Sequence, residues 1–108
     1  MSEINIGDKI TLRDKAGESL GELTIEECRY GAWCGMFSSA SGYTRVRDLF
    51  VEWTHLANDQ CFSLTDAVGE KISAIGISAF RGDERLQVSD VQLYEEENQI
   101  HGNFRLLA

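Results

Sequence analysis

The sequence predicts an α+β domain in which two helices pack on one face of a mostly antiparallel sheet or open barrel. Alternating apolar and polar residues near both ends of the chain indicate strands. Apolar residues three and four positions apart in the middle of the chain indicate two helices, over about 44–58 and 63–75. The predicted order is therefore three strands, two helices and three strands, βββ-αα-βββ.

Composition supports one domain over residues 1–108. The chain has 108 residues, of which 43% are hydrophobic and 26% charged, close to the averages of globular proteins. The formal net charge of −8 argues against nucleic acid and anionic membranes as partners, because both attract clustered Lys and Arg. The same charge is compatible with a small ligand or a basic protein partner.

Cysteine usage and the start of the chain predict a soluble protein of the cytoplasm. The three cysteines, Cys28, Cys34 and Cys61, are odd in number and contain no CxxC pair, so neither a disulfide framework nor zinc binding is expected. The first residues lack a basic patch followed by an apolar run. No apolar stretch approaches the roughly 18 residues of a membrane span.

The first third of the chain predicts three strands. One face of the first strand is apolar and carries Ile4, Ile6, Ile10 and Leu12. The run Asp14–Gly17 has Asp and Gly at the first and fourth positions of a type I turn. In the second strand Leu23 and Ile25 face inward, and a third strand over 33–37 precedes a Ser-rich loop at 38–42.

The first helix carries one apolar stripe, formed by Val46, Leu49, Phe50, Trp53, Leu56 and Ala57. Thr44 is the predicted N-cap. Arg45 and Arg47 then fall in the first turn, where they oppose the helix dipole.

The second helix is predicted from a capping box, with Ser63 as the cap and Asp66 three residues later. Its apolar positions are Leu64, Ala67, Val68, Ile72 and Ile75. Gly69 predicts the close approach of another backbone, and Gly76 is the expected left-handed residue at the C-terminal end. An alternative remains open, in which residues 72–80 form one long strand.

The last third predicts three more strands. A short strand covers 77–80, and the next one changes phase between Val88 and Val91, which indicates a β-bulge near Ser89–Asp90. Glu95–Asn98 is a predicted hairpin tip that is solvated or attracts a basic partner. The final strand turns one apolar face inward, carrying Ile100, Phe104 and Leu106.

Several short patterns together resemble a group of small bacterial proteins. The patterns are Gly35-x-Phe37, Val46-x-x-Leu49-Phe50-x-Glu52, Leu64-x-Asp66, Ile72-x-x-Ile75-Gly76-Ile77 and Val88-x-Asp90-Val91-Gln92-Leu93. They are similar to those of short bacterial α+β proteins that include reading frames on mobile gene cassettes. Because that group has no assigned activity, the resemblance implies the fold class and transfers no catalytic residue.

Two polar patterns could carry chemistry, and each has a structural alternative. Asp48, Glu52, His55 and Asp59 share one helix face, which is either a solvated surface or a weak divalent-metal site. We favour the solvated surface, because bundle metal sites need a second Glu-x-x-His pair. We therefore predict no metal site and no cofactor.

The cysteines suggest a thiol site, but the expected role is burial in the core. Cys61 lies close to the start of the second helix, where the dipole lowers a thiol pKa, and Cys34 lies on a strand. A Cys–His pair with His55 or His101 would make a small cysteine-dependent enzyme. No Gly-rich phosphate loop or Ser–His–Asp signature is present, so we favour a protein that is not an enzyme.

The aromatic residues suggest a pocket where the sheet meets the helices, or alternatively an ordinary core or a dimer surface. Trp33, Phe37, Phe50, Trp53 and Phe62 cluster there, with polar rims from Ser38, Ser39, Tyr43 or Arg47. We predict that a ligand contacts Trp33, Phe37, Tyr43, Arg47 and Trp53.

The favoured function is a non-enzymatic module, a homodimer that binds a small apolar or aromatic ligand or another protein. Exposed sheet edges favour the dimer, because edge strands invite pairing between copies. An acidic inhibitor or immunity-type protein that covers a basic partner is the first alternative, and a small cysteine-dependent enzyme is the second.

Overall fold

The computed structural model describes residues 4–60 and 62–107 and shows the predicted α+β fold. The elements are β1 (Lys9–Arg13), β2 (Ser19–Arg29), β3 (Ala32–Ser39), α1 (Tyr43–Asn58), α2 (Phe62–Ala74), β4 (Ser78–Arg81), β5 (Glu84–Leu86), β6 (Val88–Glu96) and β7 (Gln99–Leu106). The fifth predicted strand is divided at Gln87, so that β5 pairs with β4 and β6 pairs with β7. The helix at 62–74 excludes the alternative of one long strand over 72–80.

The seven strands form one antiparallel sheet that curls into a half-barrel. Their order is β5-β4-β1-β2-β3-β7-β6, so β5 and β6 are the two edges. Helix α1 contacts both the edge strand β6 and the central strand β2. Because a half-barrel leaves one side open, the helices supply the remaining wall of the core.

One hydrophobic core joins the sheet and both helices. Helix α1 contributes Val46 and Phe50, and helix α2 contributes Val68 and Ile72. The largest side chains with almost no exposed surface are Phe50, Phe104, Ile10, Leu12, Leu20, Leu23, Ile25 and Leu93. Both helices therefore bury an apolar stripe against pleated backbone, as their periodicity predicts.

Three predicted inward positions are wrong. Ile6 is 64% exposed, because β1 begins only at Lys9 and Gly7 turns the preceding chain with a φ of 93°. Leu64 is 55% exposed and Ala67 is also exposed. Ala67 lies away from the buried face of α2, which carries Val68 and Ile72, whereas Leu64 shares their helical spacing but lies where the core does not cover the helix.

The turn chemistry follows the predictions closely. Asp14 begins a turn in which its carbonyl accepts a hydrogen bond from Gly17 N–H, while its carboxylate accepts from two further backbone N–H groups. Gly76 ends the α2 region with a φ of 67°. The register of β6 against β7 shifts between Ser89 and Gln92, which confirms the predicted bulge.

Both helices begin within one residue of their predicted ranges, but the two predicted N-caps are wrong. Helix α1 begins at Tyr43, with Gly42 as N-cap and no side-chain cap, so Thr44 lies inside the helix. Helix α2 begins at Phe62, which places Ser63 inside it as well. Such displacements are common because the ends of helices fray.

Carboxylates from the sheet compensate the two arginines in the first turn of α1. The Arg45 guanidinium lies 2.7 Å from a Glu18 oxygen, and that of Arg47 lies 2.7 Å from a Glu95 oxygen. The cations that oppose the helix dipole therefore also join α1 to β6 and to the β1–β2 turn. Across residues 4–60 and 62–107, neither helix combines the length and hydrophobicity needed to cross a bilayer.

Candidate functional site

A groove lies between α2 and β6, and we call it the α2–β6 groove. Its volume is about 910 Å³, within the range of small-molecule sites. Its lining consists of Trp53, Thr65, Asp66, Gly69, Glu70, Ile72, Ser73, Gly76, Ile77, Val88, Ser89, Asp90, Val91 and Gln92. The groove thus lies on the open side of the half-barrel, beside the bulge of the edge strand.

Trp53 forms an aromatic wall of the groove next to Gly69. A Cβ atom at position 69 would lie 4.0 Å from the indole Nε1 and would meet no other atom as close. Gly69 therefore leaves open space beside the Trp53 side chain. The prediction that Gly69 permits the close approach of another backbone is wrong. Within the described chain, the indole N–H donates no hydrogen bond, so it is available to a ligand.

Three carboxylates line the groove and make it acidic. Asp66 and Glu70 are on α2, one helical turn apart, and Asp90 projects from the β6 bulge. All three are exposed at the surface. Of the described residues that line the groove, none is Lys, Arg or His. The groove therefore carries a local negative field beside the Trp53 ring.

A second, smaller depression lies on the other side of Trp53, and we call it the amide notch. Its volume is about 230 Å³. It is lined by Trp53, Thr54, Ala57, Asn58, Gln92, Tyr94 and Asn103. Trp53 and Gln92 line both depressions and form the partition between them.

The Tyr94 ring packs against the ring of His101. It stacks on the His101 ring with centroids 5.3 Å apart and an interplanar angle of 16°. These two residues are also direct partners in the β6–β7 register. Burial raises the pKa of the Tyr94 hydroxyl above its ordinary value, and a nearby cysteine, Cys34, adds to the effect. Tyr94 is therefore a neutral hydrogen-bonding group at physiological pH.

The five residues predicted to contact a ligand are distributed over different environments. Phe37 and Tyr43 are buried in the core, where their rings meet edge to face at 5.6 Å. Trp33 is partly buried opposite Phe104 on the neighbouring strand. Of the five, Trp53 lines the α2–β6 groove and the amide notch.

Tyr43 and Arg47 both contact Glu95 on β6. The Tyr43 hydroxyl lies 3.3 Å from one carboxylate oxygen, and Arg47 binds both oxygens. Burial raises the pKa of the Tyr43 hydroxyl to about 12, and the negative charge of Glu95 adds to the shift. The predicted polar rim at Ser38 and Ser39 is exposed at the end of β3.

The polar face of α1 is exposed to solvent. Asp48, Glu52, His55 and Asp59 are all exposed, as expected for a solvated surface. Within the described ranges, no group of three or more His, Cys, Asp and Glu side chains is placed to hold a metal ion.

The two described cysteines differ in exposure. Cys34 is partly buried, and its burial raises the pKa of the thiol above the ordinary value, with the Glu27 carboxylate adding to the shift. A raised pKa disfavours the thiolate that a nucleophile requires. Cys28 is exposed, and the proposed role of Cys61 lies outside the described residues.

The polar residues around Trp53 were not foreseen. Asp66, Glu70 and Asp90 come from two distant segments, and Asn58, Gln92 and Asn103 come from three different elements, α1, β6 and β7. The phase change at Ser89–Asp90 was the one available signal, because bulges are frequent beside functional sites.

Comparison with known proteins identifies no relative. No protein-family model matches the chain, and neither the curated proteins nor the solved structures contain a significant match. The resemblance to bacterial gene-cassette proteins therefore stays a prediction.

Proposed function

We propose that the protein is a non-enzymatic binding module that holds a cationic, partly apolar ligand in the α2–β6 groove. The observation that carries this proposal is a groove that Trp53 lines together with three carboxylates, and in which no described lining residue is basic. An ammonium or guanidinium group is attracted both to carboxylates and to the face of an aromatic ring. Ile72 and Val91 offer apolar surface to the rest of the ligand.

Phenethylamine is a suitable probe, because it joins an ammonium group to an apolar ring. Its uncharged counterpart 2-phenylethanol has nearly the same shape. Binding is followed through the indole N–H resonance of Trp53 in ¹⁵N-labelled protein, which the spectrum of Trp53→Phe identifies. We expect saturable shifts with the amine, weaker shifts with the alcohol, and lower affinity at high salt.

A pair of variants separates the groove from the overall charge. The groove variant combines Asp66→Asn, Glu70→Gln and Asp90→Asn. The control variant removes three exposed carboxylates elsewhere, by Asp83→Asn, Glu96→Gln and Glu97→Gln.

Both variants lose three negative charges, but the first alone changes the groove. We expect roughly tenfold weaker binding in the groove variant, because exposed ion pairs contribute about 0.2–1 kcal/mol each. Equal losses in both variants, or equal affinity for the amine and the alcohol, contradict the proposal.

The exposed acidic tip supports a second candidate, an acidic inhibitor that covers a basic protein. Glu96 and Glu97 lie at the β6–β7 hairpin and are exposed. Polylysine capture at low and high salt tests this function with the same two variants. A loss confined to the control variant supports the hairpin tip, whereas a loss confined to the groove variant assigns cation binding to the groove.

The predicted homodimer is also retained as a proposal. Both sheet edges, β5 and β6, are available for pairing with a second copy, although β5 is only three residues long. Size-exclusion chromatography with light scattering measures the mass directly. A strict monomer at high micromolar concentration rules the dimer out.

A further inference from the structure

The amide notch differs from the α2–β6 groove in the chemistry of its walls. Three carboxamide side chains surround it, from Asn58 at the end of α1, Gln92 on β6 and Asn103 on β7. Of the lining residues that the structure describes, none is charged. In a chain with a net charge of −8, this is a neutral, hydrogen-bonding surface.

The carboxamides are free to bind a ligand. In residues 4–60 and 62–107, no side-chain hydrogen bond involves Asn58, Gln92 or Asn103, and the Tyr94 hydroxyl makes none either. Each carboxamide offers two donors and an acceptor, and the hydroxyl offers one donor and an acceptor. The notch therefore presents several adjacent donors and acceptors without intramolecular partners.

Their relative positions are set by the sheet. Gln92 and Asn103 are direct cross-strand partners, as are Tyr94 and His101 two residues along the same strands. Directly opposed residues have Cβ atoms about 4.5–5.5 Å apart. Gln92 lies at the end of the β6 bulge, where the register shift brings it opposite Asn103. A rigid strand pair thus holds two of the amides and the Tyr94 ring.

Two aromatic rings supply the apolar part of the notch. Trp53 borders it from α1, and Tyr94 borders it from β6, supported by the stacked ring of His101. Aromatic walls favour flat, unsaturated ligands, because such rings stack on them. Asn and Gln bind the paired donor and acceptor groups on the edge of such rings.

We propose that the amide notch binds a flat, uncharged heteroaromatic ring with adjacent hydrogen-bond donor and acceptor groups, of the kind found in nucleobases and aromatic amides. The volume of about 230 Å³ accommodates one such ring and no more than a short substituent. This inference goes beyond the proposed function, because it concerns a different depression and a neutral ligand.

Candidate ligands with the same heteroaromatic ring differ in the substituents that the ring carries. The same heteroaromatic edge occurs in a free base, a nucleoside and a nucleotide. Because Asp90 and Glu70 lie beyond the Trp53–Gln92 partition, a phosphate group enters an unfavourable field. We expect adenine and adenosine to bind more tightly than adenosine monophosphate.

The experiment is a titration of ¹⁵N-labelled full-length protein with adenine, adenosine, adenosine monophosphate, nicotinamide and benzene. Side-chain amide and indole resonances report the notch directly. We expect saturable shifts of the Asn58, Gln92 and Asn103 amide pairs with adenine or nicotinamide, and much smaller ones with benzene. The absence of saturable shifts up to the solubility limit of the probes overturns the proposal.

Matched variants test the role of the amides. Gln92→Leu removes one notch amide, whereas Gln87→Leu makes the same change at an exposed position outside it. We expect Gln92→Leu to weaken adenine binding about tenfold and Gln87→Leu to leave it unchanged, because only Gln92→Leu removes hydrogen bonds to the bound ring.

Asn58→Ala is a second variant, at an exposed position at the end of α1. We expect weaker adenine binding here too. Equal affinities in the wild type, Gln92→Leu and Asn58→Ala overturn the proposal. Because Asp66 lines the α2–β6 groove and not the amide notch, weaker phenethylamine binding by Asp66→Asn with unchanged adenine binding shows that the two sites are separate.

Discussion

Replacing Gly69 with alanine is expected to stabilise the protein by about 0.5–1 kcal/mol. Gly69 lies in the interior of the 13-residue helix α2, where glycine has a high entropic cost on folding. Its φ is not positive, and the new Cβ meets only the indole Nε1 of Trp53 at an ordinary contact distance of 4.0 Å. The gain in helix propensity is therefore not offset by a clash.

The measurement is urea unfolding followed by circular dichroism, together with thermal melting. For a domain of this size, the expected gain corresponds to a rise in Tm of roughly 2–6 °C. Gly82→Ala is the control, because Gly82 has a φ of 62° in a turn with open space around it, so that this substitution introduces strain without a clash. Destabilisation by Gly69→Ala would refute the reasoning, since it would mean that Trp53 packs against α2 and closes the groove.

The same position tests the groove as a binding site. Gly69→Phe places a large ring beside Trp53 in the space that the ligand is proposed to occupy. We expect Gly69→Ala to retain phenethylamine binding and Gly69→Phe to abolish it while the fold is kept. Undiminished binding by Gly69→Phe places the cation elsewhere.

Three further predictions concern the core, the α1–β6 contact and the thiols. Gly35→Ala should lower the free energy of unfolding by about 3 kcal/mol or more, because the new Cβ would overlap the backbone carbonyl of Thr24. Urea unfolding measures this change, and a small effect argues against the β2–β3 packing described. The pKa of Tyr43 is raised to about 12 in the folded state, from about 10 in the unfolded state, so the stability that its neutral hydroxyl contributes is complete below pH 10 and is lost as the pH rises through 12. The free energy of unfolding of Tyr43→Phe should therefore fall less at alkaline pH than that of the wild type, by roughly 1–3 kcal/mol. Identical pH profiles of stability in the two proteins contradict the assignment. Iodoacetamide should modify exposed Cys28 faster than Cys34, whose thiol pKa is raised by burial, and mass spectrometry of tryptic peptides would expose the reverse order.

Local sequence signals determined much of the fold. The alternation at Leu23 and Ile25 and the helical spacing of Val46 and Phe50 both predict the buried faces found in the structure. Such patterns succeed because a strand repeats every two residues and a helix about every 3.6, so one buried face leaves a periodic trace. The phase change at Ser89–Asp90 likewise predicts the bulge, since an extra residue reverses the alternation.

Other features depended on contacts between distant segments. Arg47 seemed misplaced in the first turn of α1 until the fold placed Glu95 beside it, 48 residues away in the chain. Leu64 satisfies helical spacing, yet it faces solvent, because the sheet covers only the side of α2 that carries Val68 and Ile72. Hydrophobic spacing limits which faces are candidates for burial, but the position of the sheet selects among them.

The sequence by itself determined the fold class, the turns and the acidity of the protein, because each depends on neighbouring residues or on composition. Only the tertiary structure decided that Trp53 lines both the acidic α2–β6 groove and the neutral amide notch. Asp66 and Asp90 come together because the curled sheet brings its edge strand β6 opposite α2. No local sequence pattern predicts that β6 lies opposite α2, since this arrangement arises from the packing of the whole core.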